Sequence, residues 1–344
     1  MTTGRHAVEL RNRDGIRLVG IWQRPPRPVD TAIVLLSPGV KMRVAPHRLY
    51  VKMSDAFVAR GYPVFRFDFT GLGDSDGAVG ERLLADFYGS VALGRYVADT
   101  HDAIDWLKRE HGIRRVVLGG LCGGAITAVL AAQSRSDVAG ILGVGLPITV
   151  DGSNVDRTRF MSIGQLQDLR AGYVRRALDP KSWLRLLTLQ TDVKALIRSL
   201  LVRRRSSPAP TPVPAPAAAP SATTTPTGPG PASAEGPDPA PAPTPVEDNT
   251  NPLFAPAMAR LVAMSTPTML FFSEVDRLYW EFEEKYLQRG QKPVGYDAFV
   301  ETHVLAGANH VLTFDAWQRE MLEHAAGWLT RRVPIAQPAG VGGA

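Results

Sequence analysis

The sequence predicts an α/β protein, with a mostly parallel sheet covered by helices on both faces. Three observations point there. Short β-branched or aromatic runs recur along the chain, helix-patterned stretches separate them, and the residues suited to chemistry fall just after the runs. With 344 residues, 44% of them hydrophobic and 21% charged, the chain is long enough to bury a large core, which excludes collagen-like and wholly disordered proteins.

Taken in order, residues 6–12 and 16–23 alternate apolar and polar side chains around Arg13-Asp14-Gly15, the pattern of an antiparallel hairpin at a sheet edge. The runs at 31–36 (TAIVLL), 62–67 (YPVFRF), 115–119 (RVVLG), 138–144 (VAGILGV), 267–272 (PTMLFF) and 299–304 (FVETHV) then read as strands. Helical patterns occupy 49–60, 91–110, 125–133, 279–288 and 314–330. In such a sheet the crossovers are right-handed and ligands gather at the carboxyl ends of the strands.

Two stretches break the alternation. Residues 206–252 hold 15 of the 28 prolines and no aromatic side chain, so they cannot pack a core and read as an extended, disordered insertion. Residues 151–205 carry 12 Lys or Arg against five Asp, which accounts for the whole formal charge of +6. Leucines and Trp183 interleave with those bases at helical spacing, as in WLRLLTLQTDVKALIRSLLVRRR, giving amphipathic helices with a basic outer face. That face is either simply solvated or attracts an anionic substrate, carrier or membrane surface. Nucleic acid is not expected, because no helix-turn-helix, zinc-finger or ribonucleoprotein motif accompanies it.

The single cysteine, Cys122, excludes an internal disulfide. The opening MTTGRHAVELRNRDG has no apolar segment of secretory-signal length, and no window reaches about 18 unbroken apolar residues, so a cytoplasmic protein is expected. No Walker loop, Rossmann G-x-G-x-x-G or sequence-clustered ligand set is present, so neither cofactor nor metal is expected.

After the run RVVLG comes Gly120-Leu121-Cys122-Gly123-Gly124 and then the helix former run AITAVLAA. Strand, small-x-nucleophile-x-small, helix is the arrangement of a nucleophile elbow. The tight turn forces unfavourable angles on its central residue, and the flanking Gly120 and Gly124 avoid clashes. The helix N-terminus supplies partial positive charge that favours a thiolate at Cys122.

Apart from the proline-rich stretch and the tail after Pro334, the chain therefore resembles the α/β-hydrolase superfamily, with sulfur in place of the usual serine oxygen. Asp68-Phe69-Thr70-Gly71-Leu72-Gly73-Asp74-Ser75 is similar to that family's structural loop after the fourth strand. Ser37-Pro38-Gly39-Val40 stands where the family commonly has His-Gly and an oxyanion-hole amide, which implies that the N–H groups of Val40 and Gly123 form the oxyanion hole. Asp276, in Ser273-Glu274-Val275-Asp276, takes the place of the family's strand-end acid, with Glu274 as the fallback. His310 closes a Gly307-Ala308-Asn309-His310 loop that resembles the family's G-x-x-H and is implied to be the base. His6, His47, His101, His111, His303 and His324 read as structural strand or helix residues.

A cysteine in this elbow is also found in dienelactone hydrolases and polyester synthases. The closest resemblance is to the exosortase A system-associated hydrolases of bacterial exopolysaccharide clusters. It rests on GLCGGA at 120–125 and on AGYVRRALDPKSWLRLLTLQTDVKALIR at 171–198, while the Pro/Ala-rich insertion departs from that group. The resemblance implies a hydrolase core at 1–150 and 253–334, a basic helical lid at 151–205, the disordered insertion at 206–252 and a flexible tail at 335–344. It further implies an acyl hydrolase of esterase or thioesterase type, using a Cys122-His310-Asp276 triad on a small-molecule or carrier-bound acyl substrate. An acyltransferase with the same residues and a non-catalytic binding protein of this fold are the alternatives.

Overall fold

Buried β-branched runs order the centre of the sheet. The computed structural model describes residues 4–27, 29–152 and 248–335. Its strands are β1 (Arg5–Arg11), β2 (Arg17–Gln23), β3 (Thr31–Leu36), β4 (Val64–Phe67), β5 (Arg115–Leu121), β6 (Val138–Val144), β7 (Thr268–Ser273) and β8 (Val300–Leu305). They lie in the order β1-β2-β4-β3-β5-β6-β7-β8. The β1–β2 hairpin and the β2–β4 pair are antiparallel; every other neighbouring pair is parallel. The sheet is thus the predicted one, with the hairpin at its edge.

Alternation within the central strands splits the core into two layers. From β3, Ala32, Val34 and Leu36 pack on one face with α2 (Leu84–Ala92), α3 (Val97–His111), α4 (Gly123–Ala132) and α5 (Phe254–Ala263). Ile33 and Leu35 pack on the other with α1 (Leu49–Val58) and the long terminal helix α8 (Asp315–Arg332). Between α5 and α8 run α6 (Arg277–Phe282) and the short α7 (Tyr296–Phe299). Among the described residues no helix is long and apolar enough to cross a membrane.

The structure corrects three sequence expectations. The helix expected over 91–110 is two helices, α2 and α3, because the chain turns at Gly94 with φ +97°. The helix expected over 279–288 begins earlier as α6 and passes into a π-helical turn at Glu283–Leu287. The insertion expected over 206–252 ends sooner, since residues 248–252 belong to the core. Thr250 pairs with Thr149, Val150 N–H donates to the Asn249 carbonyl and Asn251 N–H to the Ile148 carbonyl, both at 2.8 Å. The buried Asn251 side chain donates to the Ala92 carbonyl at 2.6 Å and accepts from Leu253 N–H at 2.9 Å. The rest of the expected lid and insertion lies outside the described residues, as does the tail beyond Ile335.

The loop after β4 is held from within. Asp68 is fully buried, accepts the Arg43 guanidinium and the Asp74 N–H, and is thereby neutralised. Ser75 Oγ donates to the Asp68 carbonyl at 2.7 Å and accepts Val19 N–H at 2.9 Å, which ties the loop to the hairpin.

Candidate active site

The junction of β5 and α4 places Cys122. Its backbone sits at φ 53° and ψ −115°, a region that an L-residue occupies only when its surroundings impose it, at a cost of order 1–3 kcal/mol. The imposition is visible on both sides. Cys122 N–H donates to the Val144 carbonyl at 2.8 Å, and its own carbonyl accepts from Ala125 and Ile126. Gly120 and Gly124 are required by close approach: a Cβ on Gly120 would stand 2.3 Å from the Gly124 carbonyl carbon, and one on Gly124 would stand 2.2 Å from the Leu36 carbonyl oxygen. The elbow glycines therefore let strand, helix and the end of β3 meet. Cys122 itself is partly buried.

His310 and Asp276 arrive from loops after β8 and β7. His310 Nδ1 lies 2.7 Å from Asp276 Oδ2. The buried carboxylate is fixed by a second contact, since Asp276 caps α6 and its Oδ1 accepts the Leu278 N–H at 3.2 Å. Glu274, the fallback acid, turns elsewhere and accepts the Gly307 N–H at 2.7 Å. With Nδ1 engaged, Nε2 is the nitrogen that meets Cys122. Burial works against a charged His310 ring, but hydrogen bonds to Asp276 and Cys122 and the negative charge of both outweigh it, so its pKa is pushed up to about 10.

Gly145, just past β6, makes room for this pair. Its φ is +55°, and a Cβ there would stand 3.2 Å from His310 Cε1 and 3.7 Å from Asp276 Oδ2. Sequence reasoning missed it.

Tyr50 was missed as well. Fully buried on α1, its Oη donates to the Leu36 carbonyl and accepts the Leu121 N–H, each at 2.7 Å. Leu36 precedes the 37–40 loop and Leu121 precedes Cys122, so one hydroxyl joins the nucleophile strand to the strand that carries the expected oxyanion amide. Burial drives the phenol far above its ordinary pKa, which keeps the hydroxyl protonated as the donor that this bridge needs.

Of the expected oxyanion donors, Gly123 opens α4, where the first N–H groups have no intrahelical acceptor. The Tyr88 ring closes over the 37–40 loop that carries Val40, so that a Cβ on Gly39 would strike its Cε1 at 2.5 Å. Burial raises the Tyr88 pKa, and the charge of Cys122 adds to the rise.

Cys122, His310 and Asp276 share one cleft of about 620 Å³ whose walls include Leu84, Tyr88, Val91, Ile126 and Leu278. Leu83 and Leu84 are more than half exposed at its edge, which gives the mouth an apolar lip. Arg277 also lines it, held 3.5 Å from Asp151 and 3.7 Å from Glu281, so its charge is balanced locally.

A sheet of this order, presenting a strained residue between strand and helix opposite a histidine and an aspartate from later loops, is the scaffold of the α/β hydrolases. The chain belongs to that family: the model of the alpha/beta hydrolase family matches residues 33–323. No curated protein matches it. Its fold is similar to that of an esterase from Pyrococcus furiosus (19% identity over 96% of this chain and 91% of the other, TM-score 0.55). It is also similar to an α/β hydrolase from a Penicillium species (18%, 96% and 99%, TM-score 0.52) and to a dienelactone hydrolase from Anabaena variabilis (13%, 96% and 99%, TM-score 0.52). At these identities the likeness is one of fold.

Proposed function

We propose that the protein is an acyl hydrolase of esterase or thioesterase type, acting through Cys122, His310 and Asp276. The observation that carries this reading is the 2.7 Å His310–Asp276 contact in the same cleft as a cysteine held at φ 53°. The Cys122 sulfur attacks the acyl carbonyl carbon, and the developing oxyanion is met by the Gly123 N–H and an amide of the 37–40 loop. When the tetrahedral intermediate collapses, the bond to the leaving oxygen or sulfur breaks and His310 gives that atom its proton, leaving an acyl-cysteine. Water then attacks the thioester, passes a proton to His310 and releases the carboxylic acid as the bond to sulfur breaks. Asp276 keeps the ring's orientation and offsets its positive charge throughout.

The apolar walls and lip of the cleft support an acyl chain as the bound portion, on a small molecule or a carrier. Residues 120–125 and 171–198 resemble the exosortase A system-associated hydrolases, which supports a place in bacterial exopolysaccharide or lipid metabolism. A reducing cytoplasm suits a free nucleophilic thiol. The test is steady-state hydrolysis of acyl p-nitrophenyl esters and acyl thioesters by wild type, Cys122→Ala and His310→Ala, with intact mass read in parallel. Turnover in wild type alone with an adduct on Cys122 is expected. Folded proteins that give neither turnover nor adduct on any donor would overturn the triad.

A further inference from the structure

Residues that stand far apart in sequence meet on the outer side of the last strand. In β8 the alternate positions Glu301, His303 and Leu305 face α8: Glu301 accepts from Arg331 and Arg332, each at 2.9 Å, and Leu305 is buried in the same core layer as Met321 and Trp328. His303, between them, meets Glu320 and His324, which lie one helical turn apart on α8. Its Nε2 is 2.9 Å from Glu320 Oε1, and its ring stacks on His324 with centroids 3.8 Å apart. One donor atom from each of the three lies within 4.8 Å of the others. We propose that His303, Glu320 and His324 form a binding site for a divalent transition metal of the zinc class.

The distances suit such an ion with side-chain adjustment alone. Zinc bonds of about 2.0–2.1 Å in tetrahedral geometry place ligand atoms about 3.3 Å apart. The His303–Glu320 pair therefore opens by a few tenths of an ångström, and the widest separation closes by about 1.5 Å at most. His324 is exposed, while the Phe271 ring, set across the His303 ring with centroids 5.9 Å apart, steadies His303. The donor set decides the class of ion. Two imidazole nitrogens and one carboxylate oxygen favour Zn²⁺, Co²⁺ or Ni²⁺, whereas Mg²⁺ and Ca²⁺ seek oxygen alone. The site is open on its outer side, which leaves the fourth position to water and makes the site a clamp. β8 and α8 bracket the loop that carries His310, so the ion would fasten both ends of that loop. The site is hidden in the sequence because a lone Glu320–His324 pair four residues apart is an ordinary helix-surface pattern, and its third member, His303, comes from another element.

The test uses the untagged full chain with Cys122→Ser, so that no thiolate competes for the ion. Calorimetric titration with Zn²⁺ is expected to show one equivalent bound, Co²⁺ to give visible absorption bands of a nitrogen and oxygen site, and Tm to rise by about 5 °C with Zn²⁺ in hundredfold excess over its Kd. His324→Asn, at an exposed position, and Glu320→Gln should each weaken binding at least tenfold and cut the rise to about half or less. Absence of stoichiometric binding, affinity unchanged in both variants, or an equal rise with Mg²⁺ would overturn the proposal.

Discussion

Tyr50→Phe removes a single oxygen from the point where the strand leading to Cys122 and the 37–40 loop are joined. The phenol is fully buried and both its contacts are 2.7 Å long, so the shape of the ring survives while the Leu121 N–H and the Leu36 carbonyl each lose a partner. A buried backbone group left in this way costs about 1–3 kcal/mol, and the two together about 2–6 kcal/mol. For a domain of this size one kcal/mol corresponds to roughly 2–4 °C, so thermal unfolding should come about 4–24 °C earlier. Function should suffer separately. A shift of about 1 Å between Cys122 and its partners costs on the order of a hundredfold in rate. Because Cys122 is the only cysteine, iodoacetamide alkylation followed by mass reports on the nucleophile alone, without reference to any substrate. Slower alkylation, together with a kcat at least tenfold lower on an ester that wild type hydrolyses and an unchanged KM, is the expected result. A variant that unfolds within about 0.5 kcal/mol of wild type and alkylates at the same rate would refute the bridging role, since that change is no more than an ordinary surface substitution produces.

The raised His310 pKa gives a pH dependence with a definite sign. Its folded value, about 10, exceeds the ordinary 6.5, so the ion pair is complete below the ordinary value and is lost as pH rises through about 10. The His310 ring signal in NMR should therefore titrate near 10 in wild type and lower in Cys122→Ser; a wild-type ring titrating near 6.5 would count against the pair. Asp276→Asn retains a helix cap but not the charge, and kcat should drop about 10²- to 10⁴-fold in the ester assay. Gly145→Ala places a methyl 3.2 Å from His310 at positive φ, costing about 1–2 kcal/mol in urea unfolding and lowering kcat. Gly112→Ala, also at positive φ but with no atom within 4 Å of the added methyl, should show the same backbone cost with kcat unchanged.

The site was legible wherever a local pattern carries the chemistry. Cys122 announces itself because strand, glycines and helix are contiguous, and Asp276 and His310 because each follows a strand in a short loop. Tyr50 and Gly145 were not legible, since each acts on residues distant in sequence: Tyr50 reaches Leu121 across 71 positions, and Gly145 owes its importance to a ring from another loop. Long-range contact also conceals the His303, Glu320 and His324 cluster, because only the packing of α8 on β8 brings them together. In the fold, the hydrophobic period of α3 runs on through Gly94 into α2, so residues 91–110 look like one helix until the turn is seen. Glu274 and Asp276 are both carboxylic acids two residues apart in one loop; only the cap on α6 and the Gly307 amide distinguish their tasks.

The pairing of Thr149 with Thr250 has a consequence for how this protein can vary. The described chain reaches residue 152 and resumes at residue 248 beside one fastened point, next to Asp151 at the rim of the cleft. Because both ends are fixed to the core there, the sheet itself does not dictate how many residues join them. The frame that holds Cys122, His310 and Asp276 can therefore keep its geometry while the number of residues joined at this point changes.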